Sequence, residues 1–407
     1  MSEARTVAEM LRRRAEARPD SVAHVFLGDG ERESARLTYA QLDARASAVA
    51  ASLARMGATG ERVLLLFPPG LEFISAFFGC LYARAIAVPA YLPEGPDPER
   101  GLLRLAAIAR DCGATHALTT GAVAEMARAV AQGIPELAGV RWTAVDGEEM
   151  AAGGERWDPP LEGGLAFLQY TSGSTRTPAG VRVTHANLLH NLSYGNHVER
   201  NDAESVSVSW LPVHHDMGLI EGTLLPVYGG YPAHLMAPAS FLQRPARWLN
   251  AITRYRATNS GGPNFAYELC VRKVTGEARE ALDLSSWRVA YNGSEPVRAE
   301  TLERFHAAFS PRGFRQRAFH PVYGLAEATL IVSGVRAAAA PKVLELDARA
   351  LERGEVRCGE PAPGAPRARL VGAGVTACGV EVRIADPETR EEQPAGRVGE
   401  IWLRGPS

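Results

Sequence analysis

Short apolar runs alternate with segments of helical spacing along most of the chain. The runs Arg62–Phe67, Ala85–Val88 and Ala114–Thr119 have the length and the Val/Leu/Ala content of buried strands. Between them, Phe73–Ala83 and Leu102–Asp111 carry apolar residues at helical spacing. Strands that alternate with helices pair in parallel, and helices then cover both faces of the sheet. The sequence therefore predicts an α/β fold built on mostly parallel sheets.

The alternation ends near Val335, and the composition changes after it. Residues 337–374 are rich in Ala, Pro, Gly and Arg and have weak periodicity, which indicates an inserted, partly irregular segment. Beyond it, Val380–Ile384 and Gly399–Leu403 alternate like strands of an antiparallel sheet. The predicted organisation is two helix-flanked sheets packed together over 1–336, the insert over 337–374, and the start of a smaller, barrel-like β-rich unit, cut short, over 375–407.

Composition excludes several classes of function. The formal net charge is −2, so the chain has no overall basic field for nucleic acid or an anionic membrane. The five cysteines are scattered without a CxxC pair, which favours reduced thiols in the cytoplasm over disulfides or a cysteine zinc site. The most apolar segment, Phe73–Ala83, has 11 residues and is too short to span a bilayer. The charged N-terminus lacks the apolar stretch of a secretion signal.

A loop rich in hydroxyl side chains, residues 171–179, follows the apolar run Leu165–Leu168 and is called the hydroxyl loop below. Small residues let backbone N–H groups converge on an anion, and the hydroxyl groups add donors, so the loop is either a phosphate cradle or only a turn. It is not the common P-loop, because no Gly-Lys-Ser/Thr ends it. Thr184 is placed to cap a helix that starts near Ala186.

Three further polar turns follow predicted strands. His214-His215-Asp216, here called the His turn, offers ligands for a metal or for acid–base chemistry, although packing and substrate-lining roles are favoured over a metal site. Tyr323 at a strand end can stack on a planar base, and Glu327 can hold a hard cation or simply begin a helix. The turn Asn292-Gly293-Ser294 carries no specific chemistry by itself.

The hydroxyl loop, the His turn, the Asn292-Gly293-Ser294 turn and the Tyr323–Glu327 segment follow successive predicted strands in this chain order, and the set resembles the adenylate-forming superfamily. Most of its members have Gly where Arg176 stands and Lys where Ala179 stands, and the Arg/Ala version is typical of fatty acyl-AMP ligases. The stretches Leu211–Leu219 and Tyr323–Leu330 and the insert after Val335 are similar to the same group. The resemblance covers essentially the whole chain.

The resemblance implies an enzyme that activates a fatty acid with ATP and Mg²⁺ and passes the acyl group to an acyl carrier protein. The implied nucleotide-binding residues are Thr171, Ser172, Gly173, Ser174, Thr175, Arg176, Asn292, Gly293, Ser294, Tyr323 and Gly324. His215 and Glu327 are the implied catalytic residues, and Glu327 would also hold the metal. The implied acyl-binding residues are Asp216, Met217, Gly218, Leu219 and Ile220, although packed core is an alternative for the apolar ones.

The resemblance also places a later Thr-Gly-Asp motif and a small C-terminal domain after Ser407. We therefore expect this chain to be the large N-terminal domain and to turn over weakly alone. Three alternatives stay open: an acyl-CoA ligase, an amino-acid-activating adenylation domain, and an inactive module that only binds or docks. The insert and the residues Arg176 and Ala179 speak against the first of these.

Overall fold

The computed structural model describes residues 4–93, 98–147, 164–171, 178–358 and 366–407. Their contacts divide the chain into two units. Unit 1 comprises Met1–Ser193 and Asp202–Phe241, and unit 2 comprises Tyr194–Asn201 and Leu242–Ser407. The domain boundaries predicted from the sequence, at residues 336 and 374, stay a prediction.

The strands of unit 1 are short, as expected for α/β units. They are β1 Val22–Leu27, β2 Glu33–Thr38, β3 Arg62–Leu66, β4 Ile86–Ala90, β5 His116–Thr119, β6 Arg141–Ala144, β7 Leu165–Tyr170, β8 Gly180–Thr184, β9 Ser207–Ser209 and β10 Ala233–Met236. The helices are α1 Val7–Ala17, α2 Tyr39–Arg55, α3 Glu72–Tyr82, α4 Pro98–Cys112, α5 Gly121–Ala131, α6 Pro135–Ala138, α7 His185–Glu199, the π-helix Met217–Leu224, α8 Leu225–Gly229 and α9 Pro238–Gln243. Helix α7 continues from unit 1 into unit 2 at residue 194.

Unit 1 contains a six-stranded sheet in the order β6-β5-β3-β4-β7-β8. All its neighbours pair in parallel except β7 and β8, which are antiparallel. A second set of strands has the order β9-β10-β1-β2, in which β2 runs antiparallel to β1 at the edge. The predicted parallel sheets are thus confirmed, with one antiparallel edge strand on each.

Helix α3 forms the core beside the six-stranded sheet. All of its residues after Glu72 are buried, as its apolar sequence predicts. The ring of Phe77 packs edge-on against Phe167 of β7 with 5.7 Å between centroids. Burial of one such aromatic side chain contributes about 2–3 kcal/mol of transfer free energy. Packing against α3 therefore holds β7, the strand that leads into the hydroxyl loop, in place.

Unit 2 follows the same alternation and then becomes β-rich. Its strands are β11 Asn259–Gly261, β12 Val289–Asn292, β13 Phe319–Gly324, β14 Ile331–Gly334, β15 Val343–Asp347, β16 Arg367–Val371, β17 Val375–Thr376, β18 Glu381–Ala385 and β19 Glu400–Arg404. Its helices are α10 Ala246–Tyr255, α11 Asn264–Lys273, α12 Glu277–Glu280, α13 Ala299–Phe309 and α14 Ala348–Glu352, with 3₁₀ turns at Ser310–Arg312, Gln316–Ala318 and Ala326–Ala328. Strands β11, β12 and β13 are parallel neighbours, and β14 and β17 extend them in antiparallel fashion.

The segment predicted as an irregular insert contains an antiparallel pair of strands, β15 and β16. Arg369 of β16 forms a two-pronged ion pair with Glu303 of α13, and Glu300 and Glu345 lie 3.6 and 3.9 Å from its guanidinium nitrogens. Leu344 and Leu370 of the pair are nearly half exposed. Charges therefore attach the pair to α13, and backbone bonds join its two strands to each other. Strands β18 and β19 form a separate antiparallel pair, as predicted.

The structure corrects the sequence predictions at two further places. Strand β2 was not predicted, because its residues are mostly exposed and polar and give no apolar pattern. The apolar residues of 219–227 predict a helix, and the structure has instead a π-helix from Met217 to Leu224 that continues into α8. Apolar periodicity shows that a segment is helical, but it does not distinguish i→i+5 from i→i+4 bonding.

Among the described residues, we find no helix with the length and apolar character needed to cross a membrane.

Candidate active site

The hydroxyl loop joins two antiparallel strands of unit 1. Tyr170 at the end of β7 pairs with Gly180 at the start of β8. A Cβ atom at residue 180 would lie 2.9–3.1 Å from the Tyr170 ring, so this position requires glycine. Thr184 accepts a hydrogen bond from the Asn187 N–H at 3.1 Å, which confirms it as the cap of α7. Of the loop residues predicted to bind nucleotide, Thr171 is described, and Ser172, Gly173, Ser174, Thr175 and Arg176 lie outside the described residues.

Helix α4 holds the start of the hydroxyl loop through two side chains. Arg104 donates a hydrogen bond to the carbonyl oxygen of Thr171 at 2.6 Å. The hydroxyl group of Tyr170 donates to the Asp111 carboxylate at 2.6 Å, and burial together with this carboxylate raises the pKa of Tyr170 far above its usual range. Neither Arg104 nor Asp111 was predicted as a site residue. Their signal in the sequence is weak, since both are charged residues on an amphipathic helix.

The His turn lies directly against β7. Gln169 donates a hydrogen bond from Nε2 to the carbonyl oxygen of His214 at 3.1 Å. The ring centroids of His214 and His215 are 4.8 Å apart, and the centroid of the Tyr91 ring lies 5.8 Å from that of His214. The structure thus brings the predicted His215 close to the predicted Thr171, two residues beyond Gln169. The sequence, by contrast, does not indicate that Tyr91 or Gln169 belongs to this site.

Both imidazole groups of the His turn are neutral at physiological pH. Burial lowers the pKa of His214 to about 3, and the neighbouring His215 lowers it further in the same direction. Burial is also the largest cause of the lowered pKa of His215, with Asp216 opposing the shift and Arg104 adding to it. A neutral imidazole can donate one hydrogen bond and accept another, but it supplies no positive charge.

Asp216 begins the π-helix. One of its carboxylate oxygens accepts a hydrogen bond from the Met217 N–H at 2.7 Å. Gly218 allows the π-helix to approach the preceding loop, because a Cβ atom there would lie 2.1 Å from the carbonyl oxygen of Pro212. Met217, Gly218, Leu219 and Ile220 are all buried. Their predicted acyl-binding role therefore stays a prediction, beside a packing role that the burial supports.

An apolar cavity of about 160 Å³ opens beside the His turn in unit 1. It is lined by Phe26, Phe67, Pro69, Gly70, Tyr91, Leu92, Leu211, Pro212, Val213, His214, Leu235, Met236 and Pro238. A cavity near 150 Å³ with apolar walls is large enough to hold benzene. This space is therefore suited to a few carbon atoms of an apolar chain. Four of its lining residues, Leu211, Pro212, Val213 and His214, come shortly before the predicted acyl-binding residues in the sequence.

In unit 2, polar turns follow the carboxyl ends of three parallel strands. The turns after β11, β12 and β13 begin at Gly262, Gly293 and Leu325. The first two are tied together: Asn264 accepts a hydrogen bond from the Arg298 N–H at 3.1 Å, and Glu295 accepts one from the Phe265 N–H at 2.6 Å. Ligands of open α/β sheets bind at this end of the strands.

Asn292 stands out among the predicted nucleotide-binding residues. It is fully buried, and neither its side-chain oxygen nor its nitrogen has a hydrogen-bond partner among the described residues. Burial of an unpaired polar group costs about 1–3 kcal/mol. Ser294, two residues on, is exposed and has a positive φ of 66°. Such strain is typical of positions that serve a ligand.

The structure places the other predicted residues of unit 2 at the same strand ends. Gly293 follows β12 and is buried, Tyr323 at the end of β13 is partly buried, and Gly324 is exposed. Glu327 lies in the 3₁₀ turn that follows, with its side chain exposed. The described residues contain no group of three or more His, Cys, Asp or Glu side chains suited to a metal ion.

Comparisons with known proteins agree with these features. The family described as AMP-binding enzyme matches residues 11–407. The medium-chain-fatty-acid–[acyl-carrier-protein] ligase JamA of Moorena producens is 43% identical over 406 residues, which cover 99% of this chain and 68% of that protein. The chain thus spans about two thirds of that relative's length.

Two solved structures extend the likeness to the fold. The fatty acid AMP ligase of Legionella pneumophila has a TM-score of 0.91 and 41% identity, and the match covers 99% of this chain and 69% of that one. The fatty acyl-adenylate ligase of the same organism, solved with acyl adenylate and pyrophosphate, has a TM-score of 0.90 at the same identity and coverage. The chain therefore belongs to the AMP-binding enzymes and, within them, to the fatty acyl-AMP ligases.

Proposed function

We propose that the protein uses ATP to convert a fatty acid into an acyl-adenylate and passes the acyl group to the phosphopantetheine thiol of an acyl carrier protein, with AMP as the leaving group. The single observation that carries this proposal lies in unit 1. His214 lines the apolar cavity, and its carbonyl oxygen accepts a hydrogen bond from the side chain of Gln169. Gln169 lies two residues before the start of the hydroxyl loop. A space suited to an apolar chain thus adjoins a loop suited to phosphate, as the joining of a fatty acid to a nucleotide requires.

In the first step, a carboxylate oxygen of the fatty acid attacks the α-phosphorus of ATP. The bond from this phosphorus to the oxygen that bridges it to the β-phosphorus breaks, and its electron pair leaves with pyrophosphate. No protein nucleophile is needed, because the task is to hold two anions close together and in line. His215 would donate an N–H to an oxygen at this junction, since its imidazole is neutral at physiological pH.

The proposed nucleotide-binding residues come from two parts of the sequence. Thr171 to Thr175 would cradle the phosphates, and Arg176 would add positive charge. Tyr323 would stack on the adenine ring, with Asn292, Gly293 and Ser294 lining the base and Gly324 beside them. The buried amide of Asn292 supports this assignment, because a ligand or its bound water would supply the partners that it lacks among the described residues.

The Mg²⁺ that accompanies ATP would be held by Glu327. The residue fits this task, because its carboxylate is exposed and no hydrogen bond or ion pair occupies it among the described residues. Mg²⁺ is usually bound by one or two carboxylates together with substrate phosphates, so a cluster of protein ligands is not required. The ion would neutralise charge on the phosphates.

The acyl tail would enter the apolar cavity and continue along Asp216, Met217, Gly218, Leu219 and Ile220. The acceptor is proposed to be an acyl carrier protein rather than coenzyme A, in keeping with the name of the Moorena relative. A cytoplasmic location is part of the proposal and is supported by the five free cysteines.

The proposal is tested by mixing the protein with ATP, Mg²⁺ and fatty acids of increasing length, and by detecting acyl-adenylate by mass spectrometry under single-turnover conditions. Amino acids serve as competing substrates. Acyl-adenylate from medium-chain acids is the expected product. Adenylates of amino acids alone would refute the proposal, and so would tight adenylate binding without any product.

A matched pair of variants tests the role of the His turn. His215→Ala is expected to lower the single-turnover rate about 10- to 100-fold, the effect of losing one hydrogen bond to a charged group. His197→Ala, which removes an exposed imidazole from α7, should leave the rate unchanged.

Supplying coenzyme A and carrier protein side by side then identifies the acceptor, and predominant acyl-CoA would refute that part of the proposal.

A further inference from the structure

We propose that Arg104 is a positioning residue for adenylation, which fixes the first residue of the hydroxyl loop and holds a positive charge beside the His turn. This inference rests on the proposed function of the same site. Arg104 belongs to α4, 67 residues before Thr171 in the sequence, and none of the sequence motifs includes it. Its role follows from contacts that only the folded chain creates.

The guanidinium group of Arg104 makes two directed contacts. One nitrogen donates a hydrogen bond to the Thr171 carbonyl oxygen at 2.6 Å, where β7 gives way to the hydroxyl loop. The group also lies 5.7 Å from the centroid of the Tyr91 ring, whose ring stands 5.8 Å from that of His214. Arg104 therefore touches the start of the loop and, through one aromatic ring, the His turn.

Helix α4 provides a rigid base for these contacts. Leu105, Ala106, Ile108 and Ala109 are buried in the core beside the six-stranded sheet. About two turns after Arg104, Asp111 accepts the hydrogen bond from Tyr170. Consecutive residues at the end of β7 are thus held by one helix, so a change at Arg104 should move the loop rather than the helix.

The charge of Arg104 is not neutralised by a described carboxylate. No ion pair of Arg104 exists among the described residues, and its buried Nε atom has no hydrogen-bond partner there. Residues 171–180 contain no lysine. A partly buried cation beside the start of a loop proposed to bind phosphates favours anions there, and its effect grows as water is excluded.

Several groups set the electrostatics of the neighbouring His215. Burial lowers the pKa of His215 most, the Asp216 carboxylate raises it, and Arg104 lowers it. His214 lies beside it as a second neutral imidazole. Removal of the Arg104 charge should therefore shift the pKa of His215 upward. A side chain that only filled space would have no such effect.

The experiment compares Arg104→Met, Arg104→Lys and a control on the same helix. The control is Arg110→Met, since Arg110 is exposed and, within the described part of the chain, forms only a surface ion pair with Glu136 at 3.2 Å. We expect Arg104→Met to lower the single-turnover rate of acyl-adenylate formation about 10- to 100-fold, the usual effect of losing a charge-assisted hydrogen bond. Arg104→Lys should recover part of the loss, and Arg110→Met should stay within about twofold.

A second readout does not depend on catalysis. The pKa of His215 is measured by NMR of ¹³C-labelled histidine, with the His215→Gln variant assigning the signal and circular dichroism confirming the fold. An upward shift in Arg104→Met but not in Arg110→Met is expected. An unchanged His215 pKa, or an adenylation rate equal to that of the control, would overturn the inference. If the unaltered protein formed no acyl-adenylate, the proposed function would fail, and the NMR result alone would decide whether Arg104 acts on the His turn.

Discussion

Gly180→Ala tests how the hydroxyl loop is closed. The new methyl group would lie 2.9 Å from Cζ, 3.0 Å from Cε2 and 3.1 Å from Oη of the Tyr170 ring. Tyr170 is only 6% exposed, and Asp111 fixes its hydroxyl group, so the ring cannot turn away without losing that bond. Overpacking of a core site costs about 1–3 kcal/mol. A lost hydrogen bond to a charged group costs about 1.5–3 kcal/mol.

We therefore expect Gly180→Ala to lower the free energy of unfolding by about 2–3 kcal/mol. Urea unfolding followed by tryptophan fluorescence measures this loss, with Gly139→Ala as the control because a methyl group there meets no atom within 4 Å. In a Tyr170→Leu background the clash disappears, so the same substitution should cost less than about 1 kcal/mol. Equal losses for Gly180→Ala and Gly139→Ala, or equal losses in both backgrounds, would refute the steric argument.

Three further predictions concern stability and metal use. Burial lowers the pKa of His24 to about 4 and that of His214 to about 3, so the unfolded state binds protons at a higher pH than the folded state does. The free energy of unfolding should therefore fall as the pH drops from 6.5 to 4. A free energy of unfolding by urea that stays constant over this pH range would contradict the prediction. Arg14→Met removes the Nε–H that donates a hydrogen bond to the carbonyl oxygen of Val227 at 3.0 Å. The substitution should lower the free energy of unfolding by about 1–3 kcal/mol in the same assay. An unchanged free energy would show that water replaces the Arg14 donor. Glu327→Gln should raise the Mg²⁺ concentration for half-maximal acyl-adenylate formation about tenfold without changing stability, and an unchanged Mg²⁺ dependence would remove Glu327 from the metal site.

The sequence predicts the strands that carry the site better than it predicts the contacts between them. The apolar runs before the hydroxyl loop and before Asn292 become β7 and β12, because short runs of buried residues have few alternatives in an α/β fold. Tyr323 was predicted at a strand end and lies at the end of β13. Periodicity and turn residues are local signals, so the elements follow from them directly.

The missed residues share a different property. Arg104 and Gln169 act through bonds to Thr171 and His214 that span 67 and 45 residues of sequence. Such bonds depend on which strands become neighbours, and no local pattern encodes that choice. The sequence also does not predict the π-helix, because the wider turn of a π-helix leaves the apolar character of the segment unchanged. Sequence motifs thus locate the loops of the site, whereas the groups that hold the loops require the fold.

The ionic attachment of the β15–β16 pair has a consequence for the conditions under which that segment keeps its place. The side chains of Arg369 and its three carboxylate partners are all partly exposed; the partners are Glu303, Glu300 and Glu345. Dissolved ions therefore screen the attraction between the guanidinium group and these carboxylates. Buried sheets such as the one around β12 have no comparable sensitivity, because their cohesion is apolar. A rise in ionic strength should therefore loosen the insert while the rest of unit 2 stays unchanged. The exposed Leu344 and Leu370 would be the first apolar side chains to become more mobile.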